Sequence, residues 1–323
     1  MSDGNIIAKR SEILFCYDIQ DANPNGDPMD ENKPRIDEET GINIVTDVRL
    51  KRTVRDYLFN YKGFDGNNGK DIFVREKPFE KGGLQDGKAR AKDFKENKDT
   101  VIDECIDVRL FGGVIPLEKK KKSIGKDKEK EKEEGDDEEK KEKNSITFTG
   151  PVQFKMGRSL HPVELKHIKG TGAFAATAGK EQKTFREEYV LPYSFICFYG
   201  IINENAAKHT KLTDDDIKLL MEGLWEGTKN LISRTKVGQM PRLLLKVDYK
   251  EPGFFTGDLD SFLKIKSESL DKIRGVDDFK LDLSDLINAI GFTKDKIETV
   301  WYKIDPFLKT NPEIPKDWKK LAD

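Results

Sequence analysis

Apolar and polar side chains alternate most cleanly at residues 12–19, where Ile13, Phe15, Tyr17 and Ile19 recur at every second position. A period of two places them on one face of a strand with a well-packed side. Further strands are predicted at 146–156, 189–202 and 242–249. Between the first two of these runs the period changes. Leu50, Val54, Tyr57, Leu58 and Tyr61 follow helical spacing over 47–61, and Lys51, Arg52 and Arg55 fall on the opposite side. Thr46 or Asp47 can cap that helix. Helices are also predicted at 99–111, closed by Gly112 and Gly113, and at 213–232, where Thr213 and three aspartates open a run holding Ile217, Leu220, Leu224, Trp225 and Leu231. Shorter helical patterns cover 283–290 and 294–304, before a Pro-punctuated tail from Pro306. With 62–145 set aside as an excursion, the order is β-α-β-β-α-β, an α+β fold of the ferredoxin-like, RNA-recognition-motif type.

Composition bounds the rest. The 323 residues are 36% apolar and 37% charged, enough for a substantial core under a highly charged surface. No run reaches the roughly 18 apolar residues of a membrane span, and the opening MSDGNIIAKR has no signal-peptide stretch. The expectation is a cytoplasmic protein without a membrane partner. Cys16, Cys105 and Cys197 form no Cys-x-x-Cys pair and read as packing residues. Residues 118–144 hold 11 lysines and 11 acidic residues, so they leave the net charge of −2 untouched. They lack the apolar surface to offset ordering and read as a disordered insertion.

Enzyme motifs are scarce. Asp21-x-Asn23-x-Asn25-Gly26 copies the opening of a calcium loop. Asn32, however, stands where the bidentate Glu belongs, and Pro24 and Pro28 interrupt the turn. A hard ion on Asp21, Asp27 and Asp30 would suit phosphodiester cleavage, although aspartates in such loops ordinarily serve as turn residues. His161, His167 and His209 sit in no catalytic motif, and there is no phosphate loop or dinucleotide fingerprint. Basic clusters are more informative. Residues 151–186 carry seven Lys/Arg against two acidic residues around GTGAFAATAG, which suits a mobile hairpin. Residues 229–250 carry six against one, and Ser233-Arg234-Thr235-Lys236-Val237-Gly238 offers hydroxyls, backbone N–H groups and cations to phosphate. With Lys51, Arg52 and Arg55 these make three clusters around a four-strand core, a pattern that points to nucleic acid.

NPNGDP, KPRID, VTDVRLKRTVRDYL, DVRLFGGVI, TGPVQFKMGRSLHPV and SRTKVGQ, in that order over residues 10–250, resemble the backbone subunit of CRISPR Cascade effectors, most closely type I-B, in the repeat-associated RNA-recognition-motif superfamily. The resemblance implies a hand-shaped molecule. Its palm would be halved into 10–61 and 146–250, with a fingers insertion at 62–145, a thumb β-hairpin near 158–188 and a C-terminal elaboration at 251–323. It also implies that copies of the chain assemble along CRISPR RNA, beside a large subunit and the subunits that cap and process the guide, and hold it for pairing with target DNA. Carried over by position, the RNA contacts are Asn25, Lys33, Arg35, Thr46, Lys51, Arg52, Arg55, Arg158, Ser159, Lys166, Lys169, Phe174, Arg234 and Lys236. Sequence-blind contacts are what a changing guide requires. No catalytic residue, metal or cofactor is expected. Related type III subunits cut RNA with a loop aspartate and a metal, which keeps a metal-dependent endoribonuclease as the alternative; a protein-only assembly module is the third reading.

Overall fold

The computed structural model describes residues 5–117, 145–175 and 183–321, and within these the side chains of 171–175 and 183–186 are not described. The predicted insertion at 118–144 lies outside the described residues, as does the tip of the hairpin.

All four predicted strand regions contribute to one largely antiparallel sheet, although Ser145–Thr149, the first part of the 146–156 region, pairs instead with Gly112–Pro116. Its centre is the strand Ser11–Ala22, flanked by Lys183–Ile202 on one side and Met240–Tyr249 on the other. Val152–Phe154 and Gly157–Pro162 pair with Lys183–Ile202 in turn. In order of the predicted strands the sheet therefore runs fourth, first, third, second. Ile297–Ile304 extends it beyond Met240–Tyr249, and Ile42–Val45 extends it beyond Gly157–Pro162.

Seven helices are present among the described residues: α1 (Asp47–Tyr61), α2 (Gly87–Asp93), α3 (Lys98–Glu104), α4 (Ile106–Phe111), α5 (Glu204–Thr210), α6 (Asp214–Lys229) and α7 (Ser284–Phe292). No helix among them is long and apolar enough to cross a membrane. Thr213 and Asp216 form a reciprocal capping box at the start of α6. Leu50, Val54 and Leu58 of α1 and Ile217, Leu220 and Leu224 of α6 bury against Ile13, Phe15, Ile19 and Phe198. The other face of the sheet is buried too. Leu14, Cys16, Phe195, Cys197, Leu245 and Val247 pack under Leu259, Leu263, Leu281, Leu286 and Trp318 from the C-terminal region. Each fully buried side chain of this size contributes about 1.5–3 kcal/mol. A third cluster of Phe73, Phe94, Val101, Ile102, Val108 and Ile115 lies within the excursion and takes in Phe148 just beyond it, so that region has apolar packing largely of its own.

The sequence pattern misleads in four places. Residues 294–304 are a single 3-10 turn followed by the strand Ile297–Ile304, because Thr299, Val300, Trp301 and Tyr302 favour a pleated surface and the edge of Met240–Tyr249 is open to them. The expected helix 99–111 breaks at Cys105, whose extended backbone bridges Asp71. Strand 146–156 breaks at Gly150 and Pro151, where Gly150 lies so close to Phe111 that a Cβ would meet its carbonyl carbon at 2.1 Å. Tyr61 is exposed rather than packed; it ends α1 and stacks on Tyr57.

The hairpin is formed by Lys166–Ala175 pairing with the outer part of Lys183–Ile202, with Lys169 opposite Glu187. That second strand, 20 residues long, runs unbroken from the hairpin into the sheet. Where it enters, Pro192 offers no N–H, and opposite it Asp21 takes a left-handed backbone, φ 47°.

Candidate nucleic-acid interface

Two loops meet at the N-terminus of α1. Thr46 caps the helix by accepting the Arg49 N–H at 3.3 Å, and its own N–H and hydroxyl both donate to Asn25 Oδ1 at 2.9 Å. Arg35 holds the loop in shape by donating to the carbonyls of Asn25, at 3.1 Å, and Gly26, at 2.8 Å. Gly26 is required there, since a Cβ would fall 2.1 Å from Asn32 Oδ1. Loop 233–238 docks alongside: the Asn23 N–H donates to the Thr235 carbonyl at 2.9 Å, and Lys236 Nζ donates to the Asn23 carbonyl at 3.3 Å.

Arg49 projects into this junction from the first turn of α1. It donates to Thr53 Oγ1 at 3.1 Å, and its nearest carboxylate, Asp56, is 3.9 Å away. Burial lowers the Lys236 ammonium below its ordinary range, and the nearby Arg49 charge adds to the effect. Burial likewise lowers Arg49. Lys236 has no ion-pair partner among the described residues. Two like charges held together and partly out of water form a seat for an anion.

The other expected contacts are placed differently. Lys51, with its side chain 13% exposed, pairs with Asp47 at 2.9 Å and lies over the Phe111 ring. Arg55 pairs at 2.9 Å with Asp107, a fully buried carboxylate that also accepts the Phe73 and Val74 N–H groups. Its guanidinium therefore ties α1 to the excursion. Ser159 is buried, accepting the Asn43 N–H and donating to the His161 carbonyl, which puts its hydroxyl inside the sheet. Arg52 is exposed and pairs with Asp56 at 2.6 Å. Arg158 is exposed, 3.7 Å from Asp37. Lys166 and Lys169 are exposed on the hairpin. The side chain of Phe174 lies outside the described residues.

The base of the hairpin is joined to the loop at 27–33. His167 stacks on Tyr189 at 4.6 Å, Tyr189 donates to Glu31 at 2.8 Å, and Lys33 lies over the same ring while pairing with Asp30 at 2.7 Å. Arg234 pairs with Glu188 at the foot of the same strand. Two of the three loop aspartates are similarly engaged: Asp30 with Lys33, and Asp27, which accepts the Met29 N–H at 3.0 Å and lies 3.4 Å from Arg35. Among the described residues no group of three or more His, Cys, Asp or Glu is arranged to hold a metal ion. Sequence reasoning missed Arg49, Tyr189 and His167. The first was legible as a basic residue one turn into a capped helix, whereas the stacking pair depends on hairpin register.

The family model for CRISPR-associated protein Cas7 matches residues 9–284. The chain belongs to the Cas7 family. A relative from Haloferax volcanii, CRISPR-associated protein Cas7, is 32% identical over 306 residues, covering 90% of this chain and 85% of that protein. A solved chain from a CRISPR RNA-guided surveillance complex, pre-nicking, superposes with a TM-score of 0.52 over 97% of this chain and 96% of its own length. At 9% identity that likeness is one of fold.

Proposed function

We propose that this chain is an RNA-binding scaffold that polymerises along CRISPR RNA in a Cascade-type surveillance complex and presents the guide for pairing with target DNA. The observation that carries the reading is the Arg49 and Lys236 pair, two half-buried cations without a close carboxylate where a capped helix N-terminus and two loops converge. Family membership and the likeness to a chain of an RNA-guided surveillance complex support it. In this reading the sheet with α1 and α6 is the palm, in two halves at 10–61 and 146–250, and 62–145 are the fingers. The thumb is the hairpin near 158–188, and 251–323 elaborate the back of the palm. Arg52, Arg158, Lys166, Lys169 and Arg234 contribute exposed charge around the seat, while Asn25, Arg35 and Thr46 shape it. The partners are CRISPR RNA, further copies of the chain, and the large, capping and processing subunits. No residue is assigned a catalytic role.

Co-expression with a CRISPR array, purification through high salt and sequencing of the bound RNA tests this. Intact guides in a size-graded series of complexes are expected. An RNA-free oligomer indifferent to added RNA would overturn the scaffold reading.

A further inference from the structure

Cys16 and Cys197 are far apart in the sequence and directly opposite one another in the sheet, where Ser11–Ala22 pairs with Lys183–Ile202. Both are buried on the face covered by the C-terminal region, Cys16 after Leu14 and Cys197 between Phe195 and Tyr199 along that face. Both thiols are free.

Opposed residues of an antiparallel pair are of two kinds, and the backbone shows which kind this is. The Tyr199 carbonyl accepts the Lys155 N–H at 2.8 Å, and the Phe195 N–H donates to His161 Nε2 at 3.3 Å. Both groups therefore point away from Ser11–Ala22. Backbone groups alternate in direction along a strand, so those of Cys197, midway between the two, point away as well. Cys16 and Cys197 are thus a non-hydrogen-bonded pair, the kind whose Cα atoms approach to about 4.5 Å with side chains closest. A disulfide spans Cα separations of about 4.4–6.8 Å, so this pair needs no backbone movement to close one. Hydrogen bonding between the two thiols, together with burial, pushes the Cys197 thiol well above its ordinary value, as expected of sulfurs that meet. Cys105 is held apart from them, in the apolar cluster of the excursion.

We propose that Cys16 and Cys197 are a reversible disulfide site whose closure locks the hairpin-bearing strand to the centre of the sheet. The oxidant is a low-molecular-weight disulfide such as oxidised glutathione. One cysteine thiolate attacks it, giving a mixed disulfide and one glutathione thiolate; the second cysteine thiolate then attacks the mixed disulfide and releases the other glutathione. The protein thiols lose two electrons and two protons, the glutathione disulfide takes up both as two thiols, and one S–S bond breaks for the one that forms. Burial sets the rate. Because the thiolate is the nucleophile and both sulfurs are shut in, exchange waits for the two strands to part, and reclosing shields the new bond from reduction.

The full chain, held in oxidised glutathione at the midpoint of its urea transition so that every molecule opens and recloses, and then returned to buffer, tests this. Three results are expected: a mass lower by two hydrogen atoms, titratable thiols falling from three to one, and a non-reduced digest in which the peptides of Cys16 and Cys197 are linked. The melting temperature should rise by about 5–10 °C and return to its starting value on reduction. Three thiols remaining, lasting glutathione adducts, a link through Cys105, or an oxidised chain that melts no higher would each overturn the proposal. Cys105→Ser should leave the reaction unchanged, and the digest of the wild-type chain decides the matter if that variant does not fold.

Discussion

Two sets of cations on α1 meet very different surroundings. Lys51, Arg52 and Arg55, on the side away from the apolar stripe and so the outer set by sequence, each have a carboxylate within 3 Å: Asp47, Asp56 and Asp107. Arg49, one turn earlier and facing the sheet, has none so close and has Lys236 for a neighbour. A count of basic residues ranks the outer set first. Partner chemistry reverses the ranking, since a paired cation is already neutralised locally, while an unpaired and partly desolvated one gains most from an incoming phosphate.

The contrast can be broken most decisively at its structural end. Asp107→Ala strands the Arg55 guanidinium and the Phe73 and Val74 N–H groups, and is expected to cost about 3–5 kcal/mol in urea denaturation. An unchanged midpoint would show that Arg55 is not a structural tie. Next in size, Arg49→Ala and Lys236→Ala should each lower RNA affinity by about 10- to 100-fold, the value of a hydrogen bond to a charged group. Lys236→Met should meanwhile melt no lower than the wild type, because it removes a charge that burial disfavours. A loss of stability without a loss of RNA affinity would reassign the pair to architecture.

His161 gives a smaller, pH-dependent effect. Burial pushes its imidazole below the usual value of 6.5, and its Nε2 accepts the Phe195 N–H at 3.3 Å. The unfolded chain takes up the proton first. Stability is therefore complete above about pH 6.5 and falls as the pH drops from there toward the depressed folded value. Denaturant titrations at pH 7.5 and 5.5 should differ by about 1 kcal/mol, with the difference reduced in His161→Gln. The smallest effect sharpens the opening contrast: Arg52→Ala, at an exposed ion pair, should shift stability by no more than about 0.5 kcal/mol and RNA affinity about two- to threefold.

Much of the fold was legible. The alternation of Ile13, Phe15, Tyr17 and Ile19 and the helical stripe of Leu50, Val54 and Leu58 survive intact, because each is repeated enough to outweigh local noise. The second buried face of the sheet was less visible. Leu14 and Cys16 are two positions between stronger neighbours, and the layer that covers them comes from far along the chain. Ile297–Ile304 was misread because a short apolar run carries no record of the open edge it will join. Site residues divide along the same line. Thr46 and Lys236 were legible as cap and loop cation. Ser159 and Arg55 owe their roles to Asn43 and Asp107, partners 116 and 52 residues away that no local pattern connects.

The unbroken strand Lys183–Ile202 has a mechanical consequence. With a rise of about 3.3 Å per residue, 20 residues reach about 66 Å, so the hairpin is a cantilever clamped in the protein's core. Its clamp has one weak rung, at Pro192 and Asp21, where a ladder bond is missing and the facing backbone is left-handed. A load on the far end of the hairpin would be delivered to that rung first. Inserting one residue outside it would turn every side chain of the outer arm to the opposite face, whereas inserting two would lengthen the arm by about 7 Å and leave the faces unchanged.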